Sequence, residues 1–425
     1  MGQLYPFVDP MGNAPPRVIA RGEGIHVWDE EGARLTDAVS GLWCTALGWG
    51  NEALIEAATD QMRTLSYYHS FLGRTHETVE RLTAELVPML PEPLSHVFYG
   101  LSGSDAVDTA VKLARYAQNA RGRHGAKRIV ARHGAYHGVG GLGAGLTGMD
   151  YAHEGFDLPG DDVIRVGRPH LLRDGRSGED EAAFCARLIA ELDEAIAGAD
   201  GTVAAFIGEP IMGSGGVIIP PEGYWGGVQE VLRAHDVLLI VDEVICGFGR
   251  TGSMWGCETF GIRPDLMCMA KQLTSAYAPL SATAIAGPLH DEIAGFAGRL
   301  GTFGHGFTYG GHPLSCAVAL RAIEIYREMD APRVARELGE VMGAALAPLA
   351  DHPMVAQVRR QGLIAAVEME GPPGQAVAVA AEAEARGTLF RVAGESVCLC
   401  PPYIATPEDL RSMARTLHDA LEALC

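Results

Sequence analysis

Asp242 and Lys271 each close an apolar run in the stretch VLLIVDEVICGFGRTGSMWGCETFGIRPDLMCMAK, and a carboxylate and an amine delivered that way can act on one bound molecule. Val237–Val241 is apolar throughout, has β-branched members and lacks helical spacing, which predicts a buried strand. Leu266–Ala270, shorter, follows the breaker pair Arg263-Pro264 and ends on Lys271. A third run, Val203–Gly208, ends on Glu209-Pro210. In an open parallel sheet ligands bind beyond the carboxyl ends of the strands, so all three charged groups would face one crevice. A turn aspartate and a surface lysine would explain one such pair; three consecutive strand ends carrying charge point to a site.

One cofactor chemistry fits that pairing. Pyridoxal phosphate is held as a Schiff base to a lysine while an acidic side chain keeps its ring nitrogen protonated, and those roles fall to Lys271 and Asp242. For Lys271 to serve as a base near neutral pH its pKa must drop by roughly three units from that of a free lysine, worth about 4 kcal/mol; burial and a cationic ring beside it would supply that. The phosphate needs local donors. Ser102-Gly103-Ser104 stands between the strand-like SHVFYG and apolar residues at Ala106, Ala110, Leu113 and Ala114 in helical register. A helix start there offers free N–H groups and the positive end of the dipole, with Ser104 as the expected N-cap. Tyr136 lies just past the strand-like Arg128–Ala131, where its ring could lie flat on an aromatic cofactor. Thr308, inside the glycine-rich GTFGHGFTYGGHPL, offers a hydroxyl. His133 and His137 read as loop hydrogen-bonders rather than metal ligands, and no metal is expected.

The elements that must position these groups alternate between strand and helix. Helical spacing runs over Leu54–Leu65, Glu77–Val87, Glu181–Gly198 and Cys316–Met329, and strand-like runs recur at Leu363–Met369 and Val397–Cys400. Residues 15–37 read as a small antiparallel hairpin, and 161–176 as a polar loop. Gly138–Gly143 spells GxGxxG but does not open a helix out of a strand, so it is taken as chance. The 425 residues, 48% of them hydrophobic, suffice for two or three domains with a large core. A net charge of −20 with no Lys/Arg run argues against nucleic-acid partners. Nine cysteines without zinc or redox spacing read as buried thiols in a reducing cytoplasm. No apolar run approaches a membrane span, and the N-terminus lacks a signal core.

Beyond these readings, the chain resembles the class III aminotransferases, fold type I pyridoxal phosphate enzymes, and within them the ω-transaminases that include β-alanine:pyruvate transaminases. The resemblance covers nearly the whole length and rests on SGLWC, SGSDAVDTAVKLAR, AYHG, GEPIMGSGGV, DEVICGFGRTG, AKQLTS and HGFTYGGHP. It implies an α/β fold with a mostly parallel sheet flanked by helices in a large domain (56–308), and a smaller α/β domain (309–425) joined by residues 1–55. By the same resemblance Lys271 is the Schiff-base lysine, Asp242 the ring-nitrogen partner and Tyr136 the stacking ring, with Val244 on the opposite face. Gly103 and Ser104 form the phosphate cup, and His137 and Glu209 complete the cofactor set. Thr308 crosses to a partner subunit, implying a homodimer with shared active sites. Phe7, Trp43 and Phe71 resemble pocket walls, although Trp43 among small residues could equally plug a core. Arg391 resembles a mobile arginine that pairs with substrate carboxylates. The chain departs from its relatives at Leu72, Leu101 and Asp105, which bears on substrate rather than chemistry. The implied reaction moves an amino group from an amine or ω-amino acid to a keto acid such as pyruvate by a ping-pong route. Aminomutases, racemases and decarboxylases share such residues, and a silent binding protein could share the fold.

Overall fold

The computed structural model describes residues 2–9, 11–12, 16–158 and 162–425; Pro15 and Asp161, where two of the segments above begin, lie outside them. Seven strands form the central sheet: β1 (Leu94–Gly100), β2 (Arg128–Arg132), β3 (Val163–Val166), β4 (Val203–Gly208), β5 (Leu238–Asp242), β6 (Leu266–Met269) and β7 (Ser281–Ala286). Their order is β1-β7-β6-β5-β4-β2-β3. Only β7 runs against its neighbours; the remaining pairs are parallel. Every residue of β4, β5 and β6 is buried, which is why these strands read as unbroken apolar runs rather than alternating ones. The parallel register sets Gly208 beside Val241 and Asp242 beside Cys268, so Glu209, Asp242 and Lys271 leave adjacent strands at one edge.

Two of these strands depart from the sequence expectation. β3 falls in the segment read as polar loop, and β7, SATAIA, is built from small residues apart from Ile285, too little to mark it as a strand. The predicted N-terminal hairpin is a three-stranded meander, Ile19–Glu23, His26–Asp29 and Arg34–Asp37. Gly24 and Gly32 make its two turns at φ of 59° and 85°, the left-handed region where a glycine meets no steric penalty. The meander is completed in parallel by Thr388–Leu389, from the far end of the chain. A third sheet runs in the order Val355–Gln361, Ile364–Met369, Ser396–Leu399, Arg391–Ala393. The helices begin where side chains can cap them: Asn51 accepts from Leu54 N ahead of Glu52–Thr64, and His76 from Val79 N ahead of Glu77–Leu86.

The third sheet meets the central body through a buried ionic cluster. Glu368, 3% exposed, accepts from Arg359, Arg173 and His170. Burial alone would raise the Glu368 pKa, but the bonds and charges of His170, Arg359 and Arg173 outweigh it and hold the carboxyl down at about 2. A folded-state pKa below the ordinary value of 4.5 contributes stability above pH 4.5 that is lost as pH falls through about 2. The difference is worth about 3 kcal/mol. Urea unfolding of the native chain should therefore weaken steeply below pH 4.5, and Glu368→Gln should flatten that slope while lowering stability at pH 7. Identical pH slopes for both chains would refute the assignment.

Candidate active site

The loop after β1 turns directly into the helix Gly103–Ala120. Ser102, not Ser104, is the N-cap: its Oγ accepts from Asp105 N at 3.2 Å, and Asp105 Oδ2 accepts in return from Ser102 N at 3.0 Å. Asp105 thereby completes a capping box with Ser102. The box satisfies Asp105 and leaves the first-turn N–H groups of Gly103 and Ser104 without partners among the described residues. A Cβ on Gly103 would stand 3.3 Å from both Val244 methyls and 3.8 Å from Ala270 Cβ, so this helix start sits against the residues that precede Lys271. Two free N–H groups and the helix dipole converging there suit a phosphate.

Ser104 is released from capping for another task. Its Oγ accepts from Val139 N at 3.1 Å, tying the loop after Tyr136 and His137 to the helix start. Gly138, at φ 93°, permits that approach; a Cβ there would lie 2.9 Å from Ser104 Cα. Gly138→Ala should cost about 1–3 kcal/mol of stability through strain and weaken cofactor retention, both readable by thermal melts and cofactor titration. Unchanged affinity would remove the loop from the phosphate site.

Asp242 is 5% exposed at the end of β5. His137 Nδ1 donates to its Oδ2 at 2.8 Å, and Val244 N donates to Oδ1 at 3.1 Å. His137 is held in turn by Thr147, whose Oγ1 accepts from His137 N at 3.0 Å and donates to Gly138 O at 2.9 Å. Glu209, 3% exposed, accepts from Tyr136 N and Gly213 N at 3.2 and 2.9 Å. Burial raises its pKa, offset by His137 and reinforced by Asp242. Burial likewise raises the pKa of half-buried Tyr136, where Arg391 pulls it down and Asp242 pushes it up.

Lys271 follows β6 in a left-handed conformation, φ 45°, at the start of a single 3₁₀ turn. Ser275 and Ala276 repeat that conformation at 49° and 63°. Burial lowers the Lys271 pKa, against the opposing pull of Cys44, Asp242, Glu209 and Cys400. A lysine so shifted is closer to the free amine that a base or nucleophile requires. Lys271, Asp242, Glu209, His137, Tyr136, Val244, Gly103 and Ser104 thus share one neighbourhood, and its donors and acceptors suit an anionic heteroaromatic cofactor.

The remaining candidates sit around it differently. Arg391 is exposed, at the start of a hairpin strand, and acts electrostatically on Tyr136 and Tyr151. Phe7, 64% exposed, meets the Tyr151 ring edge-on at 6.0 Å, so Tyr151 links Phe7 to Arg391. Trp43 is 2% exposed in a cluster with Val39, Ile245 and Cys398, the plug position. Phe71 packs on Gly306, where a Cβ would meet its ring at 2.7 Å, and Thr308 O accepts from Tyr67 at 2.8 Å. Thr308 and Phe71 are both exposed. Sequence reasoning missed Thr147, Tyr151 and Cys44. Thr147 and Tyr151 lie outside the motifs quoted above, and Cys44 closes SGLWC without itself being singled out, since each acts through a fold-dependent neighbour.

Comparison with known proteins agrees with this geometry. The family model Aminotransferase class-III matches residues 8–421. Gamma aminobutyrate transaminase 1, mitochondrial, of Solanum lycopersicum is 41% identical over 419 residues, covering 96% of this chain and 81% of its own. The omega transaminase from Pseudomonas jessenii in complex with PMP superposes with a TM-score of 0.96 at 41% identity, covering 99% of this chain and 96% of that one. A structure described as a transaminase with L-ala gives 0.94 at 44% identity, covering 96% and 99%.

Proposed function

The chain belongs to the class III aminotransferases, enzymes that use pyridoxal phosphate to pass amino groups to keto acids, and from that premise we propose that its donor is an amine or ω-amino acid and its acceptor a keto acid such as pyruvate. The observation that carries this reading is the convergence of Lys271, Asp242 and Glu209 beside a helix start with free N–H groups. Bound there, the cofactor supplies an electron sink for the carbanion left when the donor loses a proton. Lys271 Nζ takes that proton, as its lowered pKa allows. Asp242, fixed by His137 and Val244 N, is the residue assigned to the ring nitrogen. Gly103 and Ser104 hold the phosphate, Tyr136 and Val244 enclose the ring, and His137 and Glu209 brace the loops behind it. Arg391 pairs with carboxylates that a donor or acceptor presents, with Phe7 and Phe71 as apolar walls; Trp43 supports the pocket from its buried cluster. The names of the relatives, gamma aminobutyrate and omega transaminases, favour donors whose amine lies far from any carboxylate.

Purified enzyme given amine alone should transfer one amino group per site without acceptor, and double-reciprocal plots at several acceptor concentrations should run parallel. Intersecting lines would overturn the two-step exchange. A racemase or decarboxylase would turn over with no acceptor.

The assembly proposed is a homodimer in which Thr308 reaches the partner's site. The exposed apolar surface of Tyr67, Tyr68, Phe71, Leu72 and Tyr309 supports it, since a monomer seldom leaves such side chains grouped in water. Light scattering should give twice the chain mass of 45.0 kDa; a monomer that is fully active would exclude the shared site. The pairing of Thr36 with Thr388 supports assigning residues 1–55 to the small domain with 309–425, and 56–308 to the large one. Among the described residues no helix is long and apolar enough to cross a membrane. Nine unpaired cysteines favour the cytoplasm as the compartment.

A further inference from the structure

Two segments beside the site, a hairpin and a loop, are touched by one guanidinium. The first is the hairpin of Arg391–Ala393 and Ser396–Leu399, in which Arg391 pairs with Cys398 and Ala393 with Ser396. The second is the loop leaving Glu209, whose Gly213 N donates to Glu209 Oε2. Arg359, 7% exposed, donates from Nη2 to Ser396 Oγ at 3.0 Å and to Gly216 O at 2.6 Å, and from Nε to Val217 O at 3.2 Å. Behind it, Nη1 is anchored by Glu368 and by Gln357 Oε1 at 2.8 Å.

The loop is shaped for this contact. Gly216 at φ 114° and Val217 at φ 53° turn two successive carbonyls toward the guanidinium. A Cβ on Gly216 would stand 3.1 Å from Ser396 Oγ and 3.4 Å from Ala393 O, so the loop backbone lies directly against the hairpin. A planar fork of five donors can serve acceptors on both bodies while its remaining N–H groups face Glu368; an ammonium cannot span them.

We propose that Arg359 is a positioning residue that fixes the Arg391 hairpin against the Glu209 loop and thereby sets the enzyme's discrimination in favour of carboxylate-bearing acceptors. This rests on the reading of Arg391 as the group that pairs with carboxylates. Arg359 itself touches no substrate. It controls where the hairpin presents Arg391, so its loss penalises only the partner that needs that charge.

The test separates the two half-reactions of the holoenzyme in single-turnover mode, with an arylalkylamine lacking a carboxylate as donor and pyruvate as acceptor. Ser396→Ala removes only the hydroxyl that links Arg359 to the hairpin, and Arg359→Lys keeps the charge but not the fork. Both should raise the half-saturating pyruvate concentration about tenfold, equivalent to about 1.4 kcal/mol, while the amine half-reaction changes less than about twofold in rate and half-saturation. Arg391→Ala, run in parallel, should weaken pyruvate at least as much. If Arg391→Ala leaves pyruvate untouched, the reading of Arg391 falls. If Arg391→Ala weakens pyruvate while the other two variants do not, or if they slow both half-reactions equally, the role of Arg359 is overturned. Should Arg359→Lys fail to fold, Ser396→Ala decides alone.

Discussion

Holoenzyme carrying Lys271→Ala should turn over about 10⁴-fold more slowly than the native chain, the upper end of what a positioned general base contributes. Among the described residues no other amine shares the neighbourhood of Asp242 and Glu209, so nothing stands ready to replace it. The loss should come without unfolding. Burial is the largest influence on the Lys271 pKa and lowers it, so the ammonium is disfavoured in the folded state. By linkage, a folded pKa below the unfolded value makes the protonated lysine destabilising at pH below the folded value, an effect that fades as pH rises past the folded pKa and is gone above the unfolded value of 10.5. The cofactor-free variant should then melt at or above the native temperature at pH 7, with the gap narrowing as the solution becomes alkaline. A variant that keeps native turnover would end the assignment of Lys271, whatever its stability.

Asp242→Asn should lower the rate constant for amino transfer by about 10²–10³-fold, as expected when a single preorganised electrostatic group is removed. The substitution is nearly isosteric. Asn Oδ1 can still accept from Val244 N, and its amide can meet His137 Nδ1 in the other tautomer. Fold and cofactor affinity should therefore change little while the ability to hold a proton on the ring nitrogen is lost. The readout is the pH titration of the bound cofactor's absorbance, which should shift toward lower pH for proton loss. A rate within twofold of native, with the titration unmoved, would place the cofactor's nitrogen elsewhere.

The strand ends that carry Glu209, Asp242 and Lys271 were legible because a strand buried on both faces must be apolar throughout, and the first charge afterwards marks its exit. The same logic fails at two other strands, one at the edge of the sheet and one inside it. β3 pairs on one side only and carries Arg165, whose guanidinium donates to Leu146 O and Thr147 O rather than facing a core. β7 pairs on both sides and is made mostly of Ser, Ala and Thr, with Ile285 as its one large apolar residue, so its run carries little strand signal. The helix start after β1 was legible, yet its cap is Ser102, two residues ahead of the expected Ser104: hydroxyls at 102 and 104 look alike in sequence, and only the return bond from Asp105 distinguishes them. The cluster of His170, Arg173, Arg359 and Glu368 draws on segments remote in the chain, so no spacing announces it.

The parallel pairing of Arg34–Asp37 with Thr388–Leu389 also dictates an order of events during synthesis. At typical translation rates the meander leaves the ribosome on the order of tens of seconds before its fourth strand exists. Until then Asp37 and its neighbours present an open strand edge to the cellular milieu. Expression slowed near the C-terminus, or truncation before Thr388, should therefore yield aggregates rather than a shorter active enzyme, and chaperone supply should govern the yield of intact protein more than the strength of its finished core.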